Sequence, residues 1–331
     1  GYCRCEKCAK LDEQEESHSG SVLDFVNRVA DRFPDKVIST LAYQYSRKPP
    51  RSIVPRENVQ IMLCNIESER QAPIATNPND NFGEDLRAWG KLTRDIMIWD
   101  YVVQFRNLVS PFPNLRVLQP NIRFFVENGT NAHFQQGNRE IGGEFYELRQ
   151  YLIARLLWNP NCDINVEMDD FLKHYYHEAA PYIRRYIDLM HDELEASGEK
   201  LGIFMNPEDY CEKGFLRDEL MERYEAIFAQ AMKAVDGQPE ILQRVKVAHM
   251  PLTYALFNIA KTRGTADSRC FEQIDGKWRT RPEILTRLDE FVALCRETGV
   301  TRLSEWHTTP DEYEVQMHEF FLGINRKVGN D

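Results

Sequence analysis

The chain has 331 residues, enough for about two domains at a typical ~150 residues per domain. Hydrophobic residues make up 42%, aromatic residues 11% and charged residues 28%, a composition typical of a globular protein with a sizeable core. The net charge of −11 excludes nucleic acid as an expected partner, because phosphate binding needs a basic surface. No apolar run approaches the roughly 18 residues of a membrane-spanning helix, so no membrane span is predicted.

Three cysteines stand close together near the start of the sequence, in "CRCEKC". The C-x-x-C spacing of Cys5 and Cys8 suits one corner of a tetrahedral zinc site, and Cys3 adds a third thiolate. A structural zinc ion needs a fourth ligand, for which Cys64, His18 or a residue upstream of the sequence are candidates. A disulfide between the last two cysteines of the cluster and three free thiols remain open alternatives. A nucleophilic thiol is disfavoured because no particular base is evident.

Up to about residue 140, short apolar runs alternate with helical patterns. The helical stretches are residues 21–33, 85–93 and 115–128. Near-continuous apolar strands separated by helices predict βα units with a parallel sheet that is buried on both faces. The predicted strands lie in the runs Lys36–Tyr45, Asn58–Ile66, Asp95–Val103 and, more weakly, Asn131–Gln136.

We predict that residues 1–142 form the C-terminal half of a (β/α)8 TIM-type barrel. Each apolar run ends in polar and aromatic residues, and the active sites of barrels are built from the C-terminal ends of several strands. A doubly wound sheet is the alternative, weakened by the absence of the G-x-G-x-x-G dinucleotide fingerprint. Because four βα units are half of such a barrel, the first half is expected upstream of Gly1.

From residue 143 to residue 331 the pattern is helical, and we predict an all-α C-terminal region. Thr280 and Glu283 have capping-box spacing, with Pro282 in the first turn of the helix that would follow. The clearest helical stretches are residues 143–158, 180–198, 217–237 and 280–299.

Two carboxylates, Asp100 and Glu67, stand at predicted strand ends and are the candidate catalytic residues. Glycosidases use two carboxylates, of which one stays protonated and the other ionised. Asp100 lies between Trp99 and Tyr101, so one strand end supplies a carboxylate together with aromatic faces on which a sugar can stack. The alternative interpretations are that Asp100 binds backbone amides at the strand end and that Glu67 is a solvated loop carboxylate.

Further strand-end residues are predicted to contact substrate. Gln135 and Gln136 cannot transfer protons at neutral pH, but their amides can hydrogen-bond to sugar hydroxyls. Tyr43 and Tyr45 are candidates for pocket lining, with core packing as the alternative. The full predicted substrate-binding set is Tyr43, Tyr45, Asn65, Trp99, Tyr101, Gln135 and Gln136.

We interpret two other pairs of titratable residues as structural rather than catalytic or metal-binding. Glu144 and Glu147 lie three residues apart at the start of a predicted helix, where interaction with the helix N-terminus explains them. His174 and His177 have i, i+3 spacing, but the zinc-protease pattern H-E-x-x-H is absent, so we interpret them as helix-surface or core residues.

Several phrases of the sequence, taken together, resemble a bacterial family. They are "CRCEKC", "FVNRVADRFPDK", "LAYQYSRKPP", "IMLCNIE", "IWDYVVQF", "PFPNLRVLQPNI" and "GEFYELRQYLIARLLWNP". The family is domain of unknown function 4838, common in Bacteroidetes, whose members are similar to the α-glucuronidases of glycoside hydrolase family 67. The resemblance covers most of residues 3–260.

This resemblance implies a carbohydrate-active (β/α)8 barrel followed by a helical region, in a periplasmic or cell-surface protein. It implies an oligo- or polysaccharide as partner and no cofactor for catalysis. The expected function is glycoside hydrolysis of the α-glucuronidase-like kind, with one catalytic carboxylate expected either here or upstream of Gly1. The alternative is a non-catalytic glycan-binding barrel, which the glutamines at the fourth strand end favour.

Overall fold

The computed structural model describes residues 1–137, 140–306 and 308–326. The chain divides into two compact units. The first, which we call the α/β unit, comprises Gly1–Val102, Arg116–Gln136 and Ile153–Cys162. The second, the helical unit, comprises Val103–Leu115, Gly137–Leu152 and Asp163–Asp331, of which residues 138, 139, 307 and 327–331 lie outside the described part. The predicted domain boundary at residue 142 stays a prediction.

The N-terminal elements alternate between strand and helix, as the sequence pattern predicts. In chain order they are α1 (Glu6–Gln14), α2 (Ser19–Ala30), β1 (Ile38–Ala42), β2 (Val59–Cys64), α3 (Phe82–Leu92), β3 (Ile96–Tyr101), α4 (Leu115–Glu127) and β4 (Ala132–Gln136). The helix α5 (Tyr146–Trp158) follows, with its residues divided between the two units.

The four strands form one parallel sheet in the order β1-β2-β3-β4. All four predicted strands and the helices α2, α3 and α4 are therefore confirmed, and the α/β class with them. Within the described residues the sheet is open, with β1 and β4 at its edges, and no closed barrel is seen.

The two faces of the sheet differ in their environment, because successive side chains of a strand point to opposite faces. One face packs against α2, α3 and α4 and forms the core. The alternate positions form the other face, on which Leu41 and Phe134 are 45% and 41% exposed. The core residues of the strands are Ala42, Val59, Ile61, Leu63, Ile96 and Ile98, and those of the helices include Leu23, Val26, Phe82, Leu86, Trp89 and Phe125.

The helical unit consists mainly of long helices packed around aromatic side chains. Helices are confirmed in the four predicted stretches, and Gly198 ends one of them in the left-handed conformation, with φ of 67°. The helices after α5 are α6 (Ile164–Tyr176), α7 (Ala180–Ser197), α8 (Asp218–Ala234), α9 (Pro239–Arg263), α10 (Pro282–Thr298) and α11 (Pro310–Arg326).

The prediction that this region is entirely α-helical is wrong at one place, a β-hairpin. Its antiparallel strands are β5 (Phe271–Ile274) and β6 (Lys277–Thr280). The turn between them is Asp275-Gly276, with φ of 51° and 78°, the backbone that favours the Asp-Gly dipeptide in two-residue hairpins. The capping-box prediction is also wrong, because Thr280 belongs to β6 and the residue that precedes α10 is Arg281.

Among the described residues, no helix has both the length and the apolar character needed to cross a membrane.

Candidate functional site

The C-terminal ends of neighbouring strands bring most of the predicted site residues together. In the register of β3 and β4, Asp100 lies opposite Gln135 and Tyr101 lies opposite Gln136. Asn65 follows β2 directly, and its backbone N–H donates to the carbonyl oxygen of Trp99. These residues come from three separate parts of the sequence. The parallel sheet brings them together because the C-terminal ends of its strands lie side by side.

Asp100 lies at the C-terminal end of β3, on the face of the sheet that packs against the helices, and it is buried. It is only 3% exposed and points to the same face of the sheet as Ile96 and Ile98. Its Oδ1 accepts a hydrogen bond of 2.7 Å from Nδ2 of Asn65, whose own Oδ1 accepts from the backbone N–H of Tyr101 at 3.1 Å. Asp100 and Asn65 therefore join the ends of β2 and β3, and the catalytic role of Asp100 stays a prediction.

The buried Arg70 completes this arrangement and was not anticipated from the sequence. Its guanidinium donates to the backbone oxygens of Tyr101 at 2.6 Å, of Asn65 at 3.0 Å and of Ser68. Burial lowers the pKa of Arg70, and the negative charge of Asp100 opposes that effect. Since an arginine has five N–H donors, one side chain can hold the beginning of the loop after β2 against the end of β3.

Aromatic residues occupy the other side of the strand ends. The rings of Trp99 and Tyr101 are stacked, with centroids 5.9 Å apart and an interplanar angle of 13°, and Phe134 meets Trp99 edge-on at 4.9 Å. Nε1 of Trp99 donates to Oε1 of Gln136 at 2.7 Å. We call Trp99, Tyr101, Phe134 and Gln136 the aromatic strand-end face. It lies on the side of the sheet away from α2 and α3. Phe134 is exposed there and Trp99 and Gln136 are half-buried, whereas Tyr101 is buried.

Tyr43 adjoins this face, whereas Tyr45 does not. Burial raises the pKa of Tyr101, and the nearby Cys64 and a hydrogen bond with Tyr43 raise it further. Gln44 has a positive φ of 49°, so the chain turns after β1, and the ring of Tyr45 instead neighbours Tyr2 at 5.7 Å. Of the two tyrosines predicted to bind substrate, only Tyr43 stands with the other strand-end residues.

Glu67 is the predicted catalytic carboxylate that reaches solvent. Its side chain is 44% exposed, and its Oε2 accepts from the guanidinium of Arg47 at 3.0 Å. Arg47 is itself buried, donating also to Oδ2 of Asp85 at 2.7 Å, while its carbonyl oxygen accepts from Trp89. Arg47 was missed at the sequence level, and it fixes one side of Glu67 against α3.

The end of β4 carries buried polar atoms. Neither amide atom of the Gln135 side chain has a hydrogen-bond partner among the described residues, and the same holds for Nδ1 of His133. Burial lowers the pKa of His133, opposed by the negative charge of Asp100. Because buried polar groups are normally paired, such atoms point to water or ligand at this position.

The three N-terminal cysteines converge in space. The sulfur atoms of Cys3, Cys5 and Cys8 all lie within 4.8 Å of one another, and the protein's eight cysteines are all free thiols. The two fourth ligands considered from the sequence, Cys64 and His18, are not part of this group. The cluster is the sequence-predicted site that could hold a metal ion.

The helical unit contains buried charges that the sequence did not assign to a site. Glu144 lies two residues before the first residue of α5. Its carboxylate accepts from the backbone N–H of Phe112 at 2.6 Å and from the hydroxyl of Tyr186 at 3.2 Å. Burial raises the pKa of Glu144 to about 7 and lowers that of the neighbouring Arg149 to about 10.

A cavity of about 1040 Å³ lies between helices of the same unit. Glu225 accepts hydrogen bonds there from His249 at 2.8 Å and from Arg287, which also donates to Thr253. Partial burial opposes ionisation, but these two partners lower the pKa of Glu225 to about 2. Glu225 is therefore paired with His249 and Arg287 in the cavity wall.

The protein is thus of the mixed α/β class, with polar and aromatic residues collected at the ends of parallel strands. The chain belongs to the family described as Domain of unknown function (DUF4838), which matches residues 1–188, more than half of its length. The family resemblance inferred from the sequence is confirmed, while the relation to glycoside hydrolases stays a prediction. No curated protein matches the chain.

Proposed function

We propose that this protein is a carbohydrate-active protein, a glycoside hydrolase of the α-glucuronidase-like kind. Its substrate, an oligo- or polysaccharide, would bind at the C-terminal ends of β1 to β4. The observation that carries the proposal is the aromatic strand-end face, which is partly exposed and joins stacked rings to the amide of Gln136. Such a surface can contact the apolar face of a sugar ring and its hydroxyls at once.

The proposal includes the fold: the four strands are half of a (β/α)8 barrel. Their order runs β1-β2-β3-β4 without reversal, whereas a doubly wound sheet reverses its strand order at a switch point. The helices α2, α3 and α4 pack on one face, which would be the outside of the barrel. A crystal structure of the complete natural polypeptide should contain further strands that pair with β1 and β4, and an open four-stranded sheet there would contradict the proposal.

Glu67 is the carboxylate best placed to act on a substrate. It reaches solvent beside the strand ends, and Arg47 restricts its orientation. Asp100 would position Asn65 and the strand ends through its hydrogen bond to the Asn65 amide. If substrate reaches Asp100, it would serve as the second carboxylate. Since glycosidases work with two carboxylates, the second is otherwise supplied by the strands that complete the barrel.

The test is hydrolysis of a panel of polysaccharides and aryl glycosides, including uronic acid glycosides, by the full chain. We expect Glu67→Gln to lower kcat by about 10²–10⁴-fold, the usual contribution of a general acid or base. Glu57→Gln is the matched control, because Glu57 is an exposed carboxylate near the opposite end of the same strand, β2. Equal activity of the Glu67 variant and the wild type would remove Glu67 from the mechanism, and Asp100→Asn tests the second carboxylate in the same way.

The second candidate function is glycan binding without hydrolysis. It is favoured by the burial of Asp100 and by the amides of Gln135 and Gln136, where a hydrolase could carry a carboxylate. Calorimetry separates the two functions: sugar binding by the wild type without any product release supports binding alone. Release of product that depends on Glu67 supports hydrolysis.

A further inference from the structure

We propose that Cys3, Cys5 and Cys8 form a three-thiolate binding site for a zinc ion, whose fourth position is open to a ligand from solution. This site is separate from the strand-end residues, and it does not depend on the proposed carbohydrate function. The inference begins from the convergence of the three sulfur atoms.

The local backbone explains why these sulfur atoms meet. Cys5 directly precedes α1 and has an extended backbone, with φ of −67° and ψ of 153°. Cys3 lies two residues earlier, while Cys8 lies in the first turn of the helix, where the N–H of Ala9 donates to the carbonyl oxygen of Cys5 at 2.9 Å. The chain thus folds from an extended segment into a helical turn, and the three side chains gather at this corner.

The spacing of the sulfur atoms suits a tetrahedral ion. Zinc–sulfur bonds of about 2.3 Å place two thiolates of a tetrahedral site about 3.8 Å apart. The observed limit of 4.8 Å therefore leaves about an ångström of adjustment, which rotation about the side-chain bonds can supply. Thiols are weak hydrogen-bond donors and acceptors, so hydrogen bonding among them gives little reason for three to gather at one place.

Access and charge also favour an ion at this position. Cys3 and Cys5 are exposed and Cys8 is half-buried, so an ion can reach all three sulfur atoms. Three thiolates and one divalent ion carry a net charge of −1. Arg4, Glu6 and Lys7 stand between the cysteines, and their net charge of +1 offsets it. Thiolate ligands favour soft or borderline ions such as zinc over magnesium or calcium.

The fourth position is left to a small ligand because, among the described residues, no further Cys, His, Asp or Glu ligand atom lies within 4.8 Å of all three sulfur atoms. Nδ1 of His18 hydrogen-bonds to Oδ2 of Asp12 at 2.9 Å, and its ring stacks on that of Tyr2 with centroids 3.6 Å apart. A zinc site with three protein ligands keeps an open coordination position.

A second cluster of metal-ligating side chains, in the helical unit, gives a useful contrast. Asp289, Glu314 and His318 also lie within ligand distance of one another. There, however, Nε2 of His318 contacts Oδ1 of Asp289 at 2.7 Å, and Arg296 donates to Glu314 at 2.6 Å. These charges are already paired, so the cluster needs no metal ion to explain it.

Cobalt substitution tests the cysteine site directly. The full chain, reduced and freed of metal, is titrated with Co²⁺ and then with Zn²⁺ while its absorption is recorded. We expect one equivalent of cobalt to produce the thiolate-to-metal charge-transfer band and the visible bands of a tetrahedral site, and zinc to abolish them. Cys5→Ser and Cys8→Ser should each remove the signal, whereas the control Cys162→Ser, at a half-buried free thiol elsewhere in the same unit, should retain it.

Circular dichroism of each variant shows whether the fold is kept, so that loss of the signal can be assigned to the missing ligand. The proposal is overturned if the wild type gives no charge-transfer band, or if Cys5→Ser and Cys8→Ser bind cobalt as the wild type does. A Cys5–Cys8 disulfide in the protein as purified, with no metal binding after its reduction, would establish the disulfide alternative instead.

Discussion

Two aromatic clusters, one in each unit, differ in their exposure to solvent. In the helical unit, Tyr186 contacts both Tyr224 and Phe228, and all three are almost completely buried. In the α/β unit, Trp99 and Phe134 also contact one another, but Phe134 is 41% exposed. The first cluster is therefore core and the second is accessible surface, and only an accessible cluster can bind a sugar.

Both units also bury an arginine, and the two arginines have similar surroundings. Arg149 of the helical unit donates to the backbone oxygens of Glu144 and Phe112, as Arg70 does to those of Tyr101 and Asn65. The acidic residue near each arginine is in a different electrostatic environment. Burial raises the pKa of Glu144, whereas Asp100 is tied by a hydrogen bond to Asn65 at the strand ends.

The largest effect is expected from Arg70→Leu, which removes the buried cation at the strand ends. Breaking a buried charge network typically costs about 3–5 kcal/mol in the free energy of unfolding. Here the backbone oxygens of Tyr101 and Asn65 also lose their donor. Urea denaturation measures the loss, with Arg28→Leu as a matched control on an exposed helix face, where we expect less than about 0.5 kcal/mol. A loss below about 1 kcal/mol for Arg70→Leu would show that the loop does not depend on this arginine.

The second prediction concerns the pH dependence of the helical unit. Because the pKa of Glu144 is raised to about 7 in the folded protein, the folded state keeps a proton that the unfolded state releases near the ordinary value of 4.5. The stability that Glu144 contributes is therefore full below about pH 4.5 and is lost as the pH rises towards 7. The loss is at most roughly 3 kcal/mol, from 1.36 kcal/mol for each pKa unit.

Urea denaturation of the wild type and Glu144→Gln at pH 4.5 and pH 7.5 measures this contribution. The difference in unfolding free energy between the two proteins should change with pH in favour of the variant at the higher pH. A difference that is the same at both pH values would mean that Glu144 titrates normally in the folded state.

A smaller effect is expected from Gln136→Leu, which removes the acceptor for the indole N–H of Trp99. A net hydrogen bond contributes about 1 kcal/mol, and partial exposure reduces this figure because water can replace the lost partner. We expect a small loss of stability together with weaker sugar binding, measured by calorimetry. If the variant binds sugar with the same affinity as the wild type, Gln136 does not contribute to sugar binding.

The sheet could be predicted from the sequence because its signals are local. The runs that became β2 and β3 are apolar over successive residues and bounded by polar ones, and the helix α3 shows a clear apolar periodicity. The hairpin of β5 and β6 was missed because its strands are only four residues each and lie between long helices. Its Asp-Gly turn was the signal that could have revealed it.

The candidate site could be predicted only in part. The barrel prediction places consecutive strands side by side, so the meeting of Asn65, Asp100 and Gln135 was foreseeable from it. The roles of Arg70 and Arg47 were not, because charged residues in "ESER" and "SRKPP" look solvated in the sequence. The hydrogen bond from Arg70 to Tyr101 spans 31 residues, and no local pattern encodes such a contact.

The most direct test of the central claim is a calorimetric titration of the full chain with oligosaccharides, comparing Trp99→Ala with Trp158→Ala. Trp158 is the matched control because it is a tryptophan of the same unit that is 89% exposed and outside the strand ends. We predict that the wild type and Trp158→Ala bind equally and that Trp99→Ala binds at least about tenfold more weakly, or about 1.4 kcal/mol. Equal binding by both variants, or no binding by the wild type, would contradict a carbohydrate site at the strand ends.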